Sequence, residues 1–285
     1  MNYRHAFHAG NHADVLKHVV LLAVCDALTA KPTPAFALDT HAGRGLYRLK
    51  SGSAQRTGEA EQGIGRLLAA QPRDPAIGRY LKAVAACRAA HGHDAYPGSP
   101  WLLAHALREQ DRIACCEMQP IEADALKANF AGDARVTVRA SDGYAAIKAL
   151  LPPKAGIAKL GRGLVLIDPP YEAQLEEFDA ALAALREGLQ RWPQGTFALW
   201  YPIKLRRHLQ PFYRKAANLQ AKSALVSELL VRADDSPLRM NGSGILLLNA
   251  PWKLDEALKT VLPTLRKILD DGGGASDLRW LRTPA

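Results

Sequence analysis

An apolar stretch near the middle of the chain ends in a run whose residue types suit chemistry on a nucleobase. Residues 163–167 (GLVLI) predict one buried strand, and Asp168-Pro169-Pro170-Tyr171 follows it directly. The exocyclic amine of adenine is a poor nucleophile, because its lone pair is delocalised into the ring. A carboxylate that accepts one N–H bond of that amine, and a carbonyl of the prolyl segment that accepts the other, favour the tetrahedral geometry needed to attack a methyl sulfonium.

Each part of this run has a role in that hypothesis. Asp168 also influences where the departing proton goes. The prolines stiffen the loop, so that a carbonyl of the segment containing Pro169 aims at one point. Tyr171 offers a ring face to a base taken out of its stack. The alternative is a plain Asp-Pro-Pro turn; we favour the catalytic interpretation, with Asp168, Pro169 and Tyr171 as candidates.

Three other predicted strands also end in residues that suit a nucleoside. Gly43 and Gly45 follow the first strand as a G-x-G turn, where the backbone can approach a ligand closely. Glu117 ends the second strand, in the usual place of an acid that holds ribose hydroxyls, and Asp142 follows the third. Singly these are a tight turn, a loop glutamate and a helix N-cap. Together they predict a nucleoside-containing cofactor across one edge of the sheet.

Two further patterns are interpreted as structural. Residues 249–252 (NAPW) follow a later apolar strand, but Ala250 stands at the first proline position and the strand belongs to an antiparallel pair. His8 and His12 have the i, i+4 spacing of a metal pair. No cysteine or carboxylate cluster completes a site, and methyl transfer from a sulfonium needs no metal. We therefore expect no metal.

The composition favours a polyanionic partner. The chain has 285 residues, a net charge of +9 and a pI near 9.5. Its basic residues cluster in residues 152–163 and, interleaved with aromatic residues, in residues 203–215. Such mixtures suit backbone phosphates and unstacked bases, although a solvated helix face looks similar in part. Nucleic acid is the first expectation and an acidic membrane surface the second.

The sequence also indicates a compartment. No run approaches the ~18 apolar residues that a membrane span needs, and the N-terminal residues have no apolar signal core. Four cysteines show no C-x-x-C pairing, and the adjacent Cys115 and Cys116 lie in an apolar run typical of a core. We expect a cytoplasmic protein with no membrane partner and no obligate protein partner.

Strands that alternate with helices predict an α/β protein with a mostly parallel sheet. The last two predicted strands are separated by too few residues for a helical crossover, so we expect an antiparallel pair. A helix is predicted over residues 12–29, with Asn11 as N-cap. The seven predicted strands are 36–39, 112–117, 135–139, 163–167, 196–201, 225–231 and 244–249.

The first two predicted strands are too far apart for a simple loop, and much of the stretch between them has helical spacing. We interpret residues 50–95 as a small helical insertion subdomain. Residues 1–49 and 96–285 then form the main domain.

Several motifs together resemble the S-adenosylmethionine-dependent amino-methyltransferases of class I fold. More closely, the chain is similar to the bacterial 23S ribosomal RNA adenine-N6-methyltransferase family (RlmJ), across essentially its whole length. The N-terminal run is specific to that family, whereas DPPY is shared by many amino-methyltransferases. The motifs are YRHAFHAGNHADVLKH, LDTHAGRG, YPGSP, LREQD, LIDPPYE, ALWYP and APWKL, where the family has PPWKL.

The resemblance implies a Rossmann-like seven-stranded sheet with one antiparallel strand, and S-adenosyl-L-methionine as cofactor. It implies methylation of the exocyclic N6 of one 23S ribosomal RNA adenine, at conventional position 2030. Tyr3, His5 and Lys17 would border the target base, together with Tyr171. The implied cofactor contacts are His18, His41, Gly43, Ser99, Glu117, Asp142, Gly143 and Asp168.

Two other functions stay open at this point. A DNA adenine-N6-methyltransferase would share the DPPY motif, but it should carry a larger sequence-reading domain than residues 50–95 provide. A non-catalytic RNA-binding protein on the same scaffold would not need Glu117, Asp142 and Asp168 intact.

Overall fold

The computed structural model describes residues 8–49, 58–155, 158–171, 174–237 and 240–284. Within these ranges the chain forms α-helices, one π-helical turn (Glu61–Gly65), one 3-10 turn (Arg206–Leu209) and β-strands. The helices are α1 His12–Thr29, α2 Arg66–Ala70, α3 Pro75–His91, α4 Ser99–Ala106, α5 Pro120–Phe130, α6 Gly143–Leu150, α7 Gln174–Arg191, α8 Gln210–Ala217 and α9 Leu254–Leu269. The strands are β1 Phe36–Asp39, β2 Leu46–Arg48, β3 Ala95–Pro97, β4 Arg112–Cys116, β5 Val136–Arg139, β6 Lys154–Ala155, β7 Ala158–Lys159, β8 Gly163–Ile167, β9 Thr196–Ile203, β10 Ala224–Arg232, β11 Gly242–Leu248 and β12 Gly273–Arg282.

The central sheet of the described chain has the strand order β12-β10-β11-β9-β8-β1-β4-β5. Neighbours from β9 to β5 are parallel. β11 is antiparallel to β9 and to β10, so the predicted antiparallel pair is confirmed. The fold class predicted from the sequence, a mostly parallel α/β sheet of the class I methyltransferase type, is confirmed as well.

The structure adds an eighth strand to the seven that were predicted. β12 runs antiparallel along β10 at the edge of the sheet, so both β11 and β12 oppose the parallel strands. Most side chains of β12 are half-buried, and its sequence, GGASDLRWLR, has few apolar residues. An edge strand has one neighbour and one covered face, so its sequence carries a weaker hydrophobic signal than a central strand.

Both faces of the sheet are covered, which explains the uninterrupted apolar strands. In β8, Leu164 and Leu166 pack into the core beneath α1, while Val165 and Ile167 pack into the core beneath α7. Every residue of β8 is buried. Because neighbouring side chains of a strand point to opposite faces, a strand covered on both sides needs apolar residues at every position.

The N-terminal helix forms where it was predicted. Asn11 caps α1, and its side-chain oxygen accepts hydrogen bonds from the backbone N–H groups of Ala13 and Asp14 (both 3.0 Å). The residues between β1 and β4 include the predicted helices, α2 and α3, whose Leu67, Ile77 and Tyr80 join the same core as α1. No helix among the residues described is both long enough and apolar enough to span a membrane.

The parallel strands bring four separate sequence motifs to one edge of the sheet. β1, β4, β5 and β8 all end at this edge, and each is followed by one of the polar motifs named above. Backbone bonds tie the exits together, because the N–H of Thr40 donates to Leu166 (3.0 Å) and that of Ala42 to Cys116 (2.9 Å). Ligands of open α/β sheets bind in such a crevice.

Gly163, where β8 begins, tests how tightly this sheet is built. Its φ is +155°, and a Cβ added there would lie 1.8 Å from the carbonyl oxygen of Phe36 on β1. Gly163→Ala should lower the free energy of unfolding by about 2–4 kcal/mol through backbone strain and overpacking. Urea denaturation measures this. The control is Gly161→Ala, where a Cβ meets nothing within 4 Å; equal stability of the two variants would contradict the prediction.

Candidate active site

A cavity of about 860 Å³ opens at the carboxyl edge of the sheet. Its walls come from α1, from the loops after β1, β4 and β8, from the N-terminal ends of α4 and α6, and from the end of β9. The motifs at all four predicted strand ends therefore contribute to one cavity. Of the predicted site residues, the lining includes Lys17, His41, Gly43, Ser99, Glu117, Asp142, Gly143, Asp168, Pro169 and Tyr171.

One predicted residue of the described ranges does not line the cavity, and two others cannot be placed in it or outside it. His18 is fully buried behind the wall of the cavity, where its Nδ1 is hydrogen-bonded to the Tyr96 hydroxyl (3.0 Å). It packs within the core of α1 and α3, near Tyr80. Tyr3 and His5 lie outside the described residues.

The G-x-G turn holds Glu117 in place. Gly43 and Gly45 have φ angles of +56° and +75°, which favour glycine. The Gly43 N–H donates to one carboxylate oxygen of Glu117 (2.9 Å), and the Gln119 N–H donates to the other (2.7 Å). Two backbone donors thus orient a carboxylate at the end of β4. The carboxylate can still accept hydrogen bonds from vicinal hydroxyls.

Asp142 caps α6 and also lines the cavity, so the two interpretations made from the sequence are compatible. Its Oδ1 accepts a hydrogen bond from the Ala145 N–H (2.7 Å). At Gly143, an added Cβ would lie 1.9 Å from the carbonyl oxygen of Thr40. Only glycine lets the start of α6 approach the loop after β1 this closely.

A buried ion pair anchors the Asp-Pro-Pro-Tyr loop. The ammonium of Lys17 on α1 lies 2.6 Å from Oδ2 of Asp168 and 2.8 Å from Oδ1 of Asp14. Asp14 is held in turn by the Gly10 N–H (2.9 Å). Burial lowers the pKa of Lys17, but the charges of Asp14 and Asp168 outweigh it, so the pKa lies well above its ordinary value. Lys17 is therefore a cation held against the proposed catalytic carboxylate.

Tyr171 is part of an aromatic cluster. Its backbone is left-handed (φ +48°), and its hydroxyl donates to the carbonyl of Trp200 (2.9 Å). The rings of Trp200 and Phe178 lie 5.7 Å and 5.0 Å from the Tyr171 ring, at inclined angles. Tyr171 is only 6% exposed. Its position is therefore fixed by packing and by its hydroxyl, which gives the hydroxyl a role that stacking alone does not predict.

His41 and Ser99 complete the wall near the first strand. The His41 ring packs edge-on against Tyr144 (5.1 Å), and its Nδ1 is hydrogen-bonded to the Thr40 hydroxyl (2.7 Å). Burial lowers the pKa of His41, so the ring is neutral near pH 7. Ser99 is the first residue of α4 and is almost fully buried.

Asp39, the last residue of β1, is an orphaned buried carboxyl group. Neither of its oxygens has a hydrogen-bond partner of good geometry among the described residues. Burial raises the pKa of Asp39 to about 7, and the nearby Ser99 hydroxyl offsets this only in part. A carboxyl group in this state would be stabilised by a positive charge placed close to it.

The charges around the cavity fit S-adenosylmethionine, which carries a sulfonium and an ammonium group. Six carboxylates and two lysines line the described part of the cavity, and the buried Asp39 lies behind it. Glu117, Asp142 and Gly143 line the same cavity. The acidic lining residues are Asp14, Glu117, Glu122, Asp142, Asp168 and Glu177. No group of three or more potential metal ligands occurs in the part of the chain that the structure describes.

Sequence reasoning missed several residues of this cavity. Asp14 lies three residues before Lys17, and this i, i+3 spacing was a usable signal. Trp200 and Pro202 alternate along the end of β9, so a period of two marks them as one face, and Lys204 follows directly after the strand. Nothing local in the sequence indicates that this face adjoins Asp168.

A parallel sheet whose carboxyl edge combines a ribose-type acid with a diproline loop is the architecture of the class I amino-methyltransferases. More narrowly, the chain belongs to the family whose model, RsmJ, is described as "Ribosomal RNA large subunit methyltransferase D, RlmJ" and matches residues 32–282. The family that the motifs predicted is confirmed.

The relatives resemble the chain over nearly its full length. Ribosomal RNA large subunit methyltransferase J of Haemophilus influenzae is 40% identical over 284 residues, which cover 99% of each chain. The protein of the same name from Escherichia coli K12 is 38% identical over 282 residues, again 99% of each. A crystal structure of a Legionella pneumophila protein is 31% identical, with a TM-score of 0.84 over 95% of this chain and 98% of that one.

The Lys17 ion pair yields a stability prediction. Lys17→Met removes the cation between two buried carboxylates, so the free energy of unfolding should fall by about 3–5 kcal/mol. Chemical denaturation measures the loss. Adding Asp14→Asn to Lys17→Met should recover part of it, because one buried negative charge is then removed. A Lys17→Met variant as stable as the unmodified protein would show that the ion pair does not stabilise the fold.

Asp39 yields a pH prediction. Its folded-state pKa, about 7, lies above its ordinary value of 3.8, so the folded state loses stability as pH rises through that window. Asp39→Asn cannot ionise. In the absence of cofactor, the free energy of unfolding of Asp39→Asn, relative to that of the unmodified protein, should therefore increase by about 2–4 kcal/mol from pH 5 to pH 8. Urea unfolding at both pH values tests this, with the exposed Asp124→Asn as control; a difference independent of pH would contradict it.

Proposed function

We propose that this protein transfers a methyl group from S-adenosyl-L-methionine to the exocyclic N6 of a specific adenine in 23S ribosomal RNA. The products are N6-methyladenine and S-adenosylhomocysteine. The observation that carries the proposal is the position of Asp168, on a diproline loop, in the same cavity as Glu117, Asp142 and the G-x-G turn.

The proposed cofactor site follows from the strand ends. Glu117 binds the ribose hydroxyls, Asp142 and Gly143 meet the adenine, and His41, Gly43 and Ser99 border the remaining part of the molecule. When bound, S-adenosylmethionine supplies an electrophilic methyl group and a positive charge. That charge is complementary to the acidic lining and to the orphaned Asp39.

Asp168 acts on the target amine. It accepts one N–H bond of the adenine N6, while a carbonyl of the Pro169 segment accepts the second, so that the nitrogen lone pair leaves conjugation with the ring. Lys17 keeps Asp168 in position, because its ammonium lies 2.6 Å from Oδ2. A charged carboxylate is the stronger acceptor, and it stabilises the positive charge that develops on N6.

The substrate assignment is supported by the relatives and by the charge. Relatives 40% and 38% identical are named ribosomal RNA large subunit methyltransferase J. The net charge of +9 suits an RNA partner. Tyr171 and Trp200 supply an aromatic wall beside Asp168 for a base taken out of its stack.

Further parts of the proposal concern context. Residues 50–95 form a helical insertion subdomain on a methyltransferase domain of residues 1–49 and 96–285. Tyr3 and His5 border the target base. The protein acts in the cytoplasm, where ribosomal RNA is made.

The experiment that tests the function is a map of N6-methyladenine in 23S ribosomal RNA. RNA from cells without this protein should lack the modification at one adenine, and RNA from cells that have the protein should carry it there. If RNA from the two kinds of cell carries the same N6-methyladenine at every position, the proposal is overturned.

Asp168→Asn should fold normally and lose most methyl transfer. The fold survives because Lys17 keeps Asp14 as its partner. The neutral side chain presents an NH₂ group to the target amine, and loss of such an electrostatic partner costs about 10²–10³ in rate. Single-turnover transfer to an RNA hairpin measures this, with calorimetric cofactor affinity as the control. Near-normal turnover would remove Asp168 from its role.

A further inference from the structure

The end of β9 projects beyond the strand on which it lies. Parallel pairing with β8 stops where Ile167 meets Leu199, but β9 continues to Ile203, which pairs with Gly242 of β11. The last four residues of β9 therefore have a neighbour on one side only. On the other side lies the loop that begins at Asp168.

The projecting part has a buried face and a face on the cavity. Tyr201 and Ile203 are fully buried. Trp200 and Pro202 are half-buried and Lys204 is exposed, and all three line the cavity that contains Asp168. Because strand side chains alternate, Trp200 and Pro202 share one face of β9. Lys204 follows directly after the strand and lines the same cavity, and we call the three residues the Trp200–Pro202–Lys204 ridge.

The backbone at the tip of this ridge is held rigidly. Asn241 is fully buried, and its side-chain NH₂ donates to the carbonyl of Lys204 (2.8 Å), while its backbone N–H donates to Ile203 (2.8 Å). Two residues further on, the N–H of Arg206 donates to Asp234 (2.7 Å). The root of the Lys204 side chain is thus fixed, while the residue is exposed and lines the cavity.

Lys204 is available, whereas Arg206, Arg232 and the other lysine of the described cavity lining are held by carboxylates. Within the described ranges, its ammonium has no carboxylate in ion-pair range. Arg206 contacts Glu228 and Asp277 (both 2.9 Å), and Arg232 contacts Asp271 (2.7 Å). The second lysine of the cavity lining, Lys17, is buried between two carboxylates. Lys17 is therefore not placed to neutralise a phosphate.

The acidic lining makes a cation at the mouth necessary for an RNA substrate. A nucleotide that enters this cavity brings its two flanking phosphates towards the carboxylates of Glu117, Asp142 and Glu177 and towards the pair Asp14 and Asp168, which share a single cation. That repulsion opposes binding unless a positive charge meets the backbone at the rim. Lys204 is an exposed cation of the cavity lining.

We propose that Lys204 binds a backbone phosphate next to the target adenosine, while Trp200 and Pro202 of the same ridge support the nucleotide that this phosphate joins. The inference rests on the proposed function and deepens it, because it identifies the residue that positions the RNA backbone. Lys204 is a substrate-binding residue in this account and takes no part in the methyl transfer step.

The first test is the kinetics of Lys204→Ala on an RNA hairpin carrying the target adenine. The KM for RNA should rise about tenfold, as expected for one lost charge-assisted contact, while kcat and the affinity for S-adenosylmethionine stay within about twofold. The salt dependence of RNA affinity should be shallower by about one phosphate contact. Lys204→Arg should restore most of the lost affinity.

Lys222→Ala is the matched control. Lys222 is also exposed, but it precedes β10 at the opposite edge of the sheet, near the residue pairs Ala224–Leu248 and Phe197–Leu248. The Lys222→Ala substitution removes the same charge from the protein, but at a site far from the cavity. If Lys204→Ala and Lys222→Ala have the same KM and salt dependence, the effect is one of net charge and the inference is overturned.

The second test identifies the phosphate. Hairpins with a single neutral methylphosphonate on either side of the target adenosine should bind the unmodified protein more weakly at one of the two positions. Lys204→Ala should show no further loss with that same hairpin, because the contact is already absent. If the methylphosphonate and Lys204→Ala weaken binding additively at both positions, the inference is overturned. A protein that methylates no RNA refutes the proposed function, whereas one that methylates RNA with Lys204→Ala unaffected refutes only this inference.

Discussion

The ammonium of Lys17 lies between the carboxylates of Asp14 and Asp168, and this buried contact joins the first helix to the loop that carries the proposed chemistry. Without the cation, two negative charges would face each other in a site that is largely withdrawn from water, and repulsion would open the junction of α1 and β8. Asp14 holds Lys17 from its own helix, so the cation remains anchored whatever binds Asp168. The geometry of Asp168 thus depends on the docking of a helix far from it in the sequence.

Close packing around the strand exits is the second constraint on the site. The carbonyl of Thr40 leaves no space for a Cβ at Gly143, and the Phe36 carbonyl leaves none at Gly163. The approach at Gly143 brings the exits of β1 and β5 together, so that one cofactor can meet both. The approach at Gly163 fixes β8 beside β1 at the other end of the two strands. Glu117 gains its orientation in the same way, through the backbone N–H groups of Gly43 and Gln119.

The charge of the molecule is divided between the cavity and its surroundings. The protein carries a net charge of +9, yet the described lining of the cavity is rich in carboxylates. The acidic interior is complementary to a cationic cofactor and repels an RNA backbone, so the two ligands need different regions of the same opening. The Trp200–Pro202–Lys204 ridge adds an apolar wall and an exposed cation to the same lining, and in the proposed binding mode that cation meets the RNA backbone.

The strands, the first helix with its Asn11 cap, and the acids Glu117, Asp142 and Asp168 were predictable, because period, capping and strand-end position are written in neighbouring residues. The edge strand β12 was not, since its half-exposed side chains carry little pattern. Local sequence also could not show that Lys17 contacts Asp168 across 151 positions, that His18 turns into the core towards Tyr96, or that Lys204 adjoins the cavity. By itself the sequence determined which elements form and which chemical groups end them. The tertiary structure alone decided which groups meet. A contact between distant residues depends on how α1 docks onto the sheet and on how far β9 extends beyond its pairing with β8.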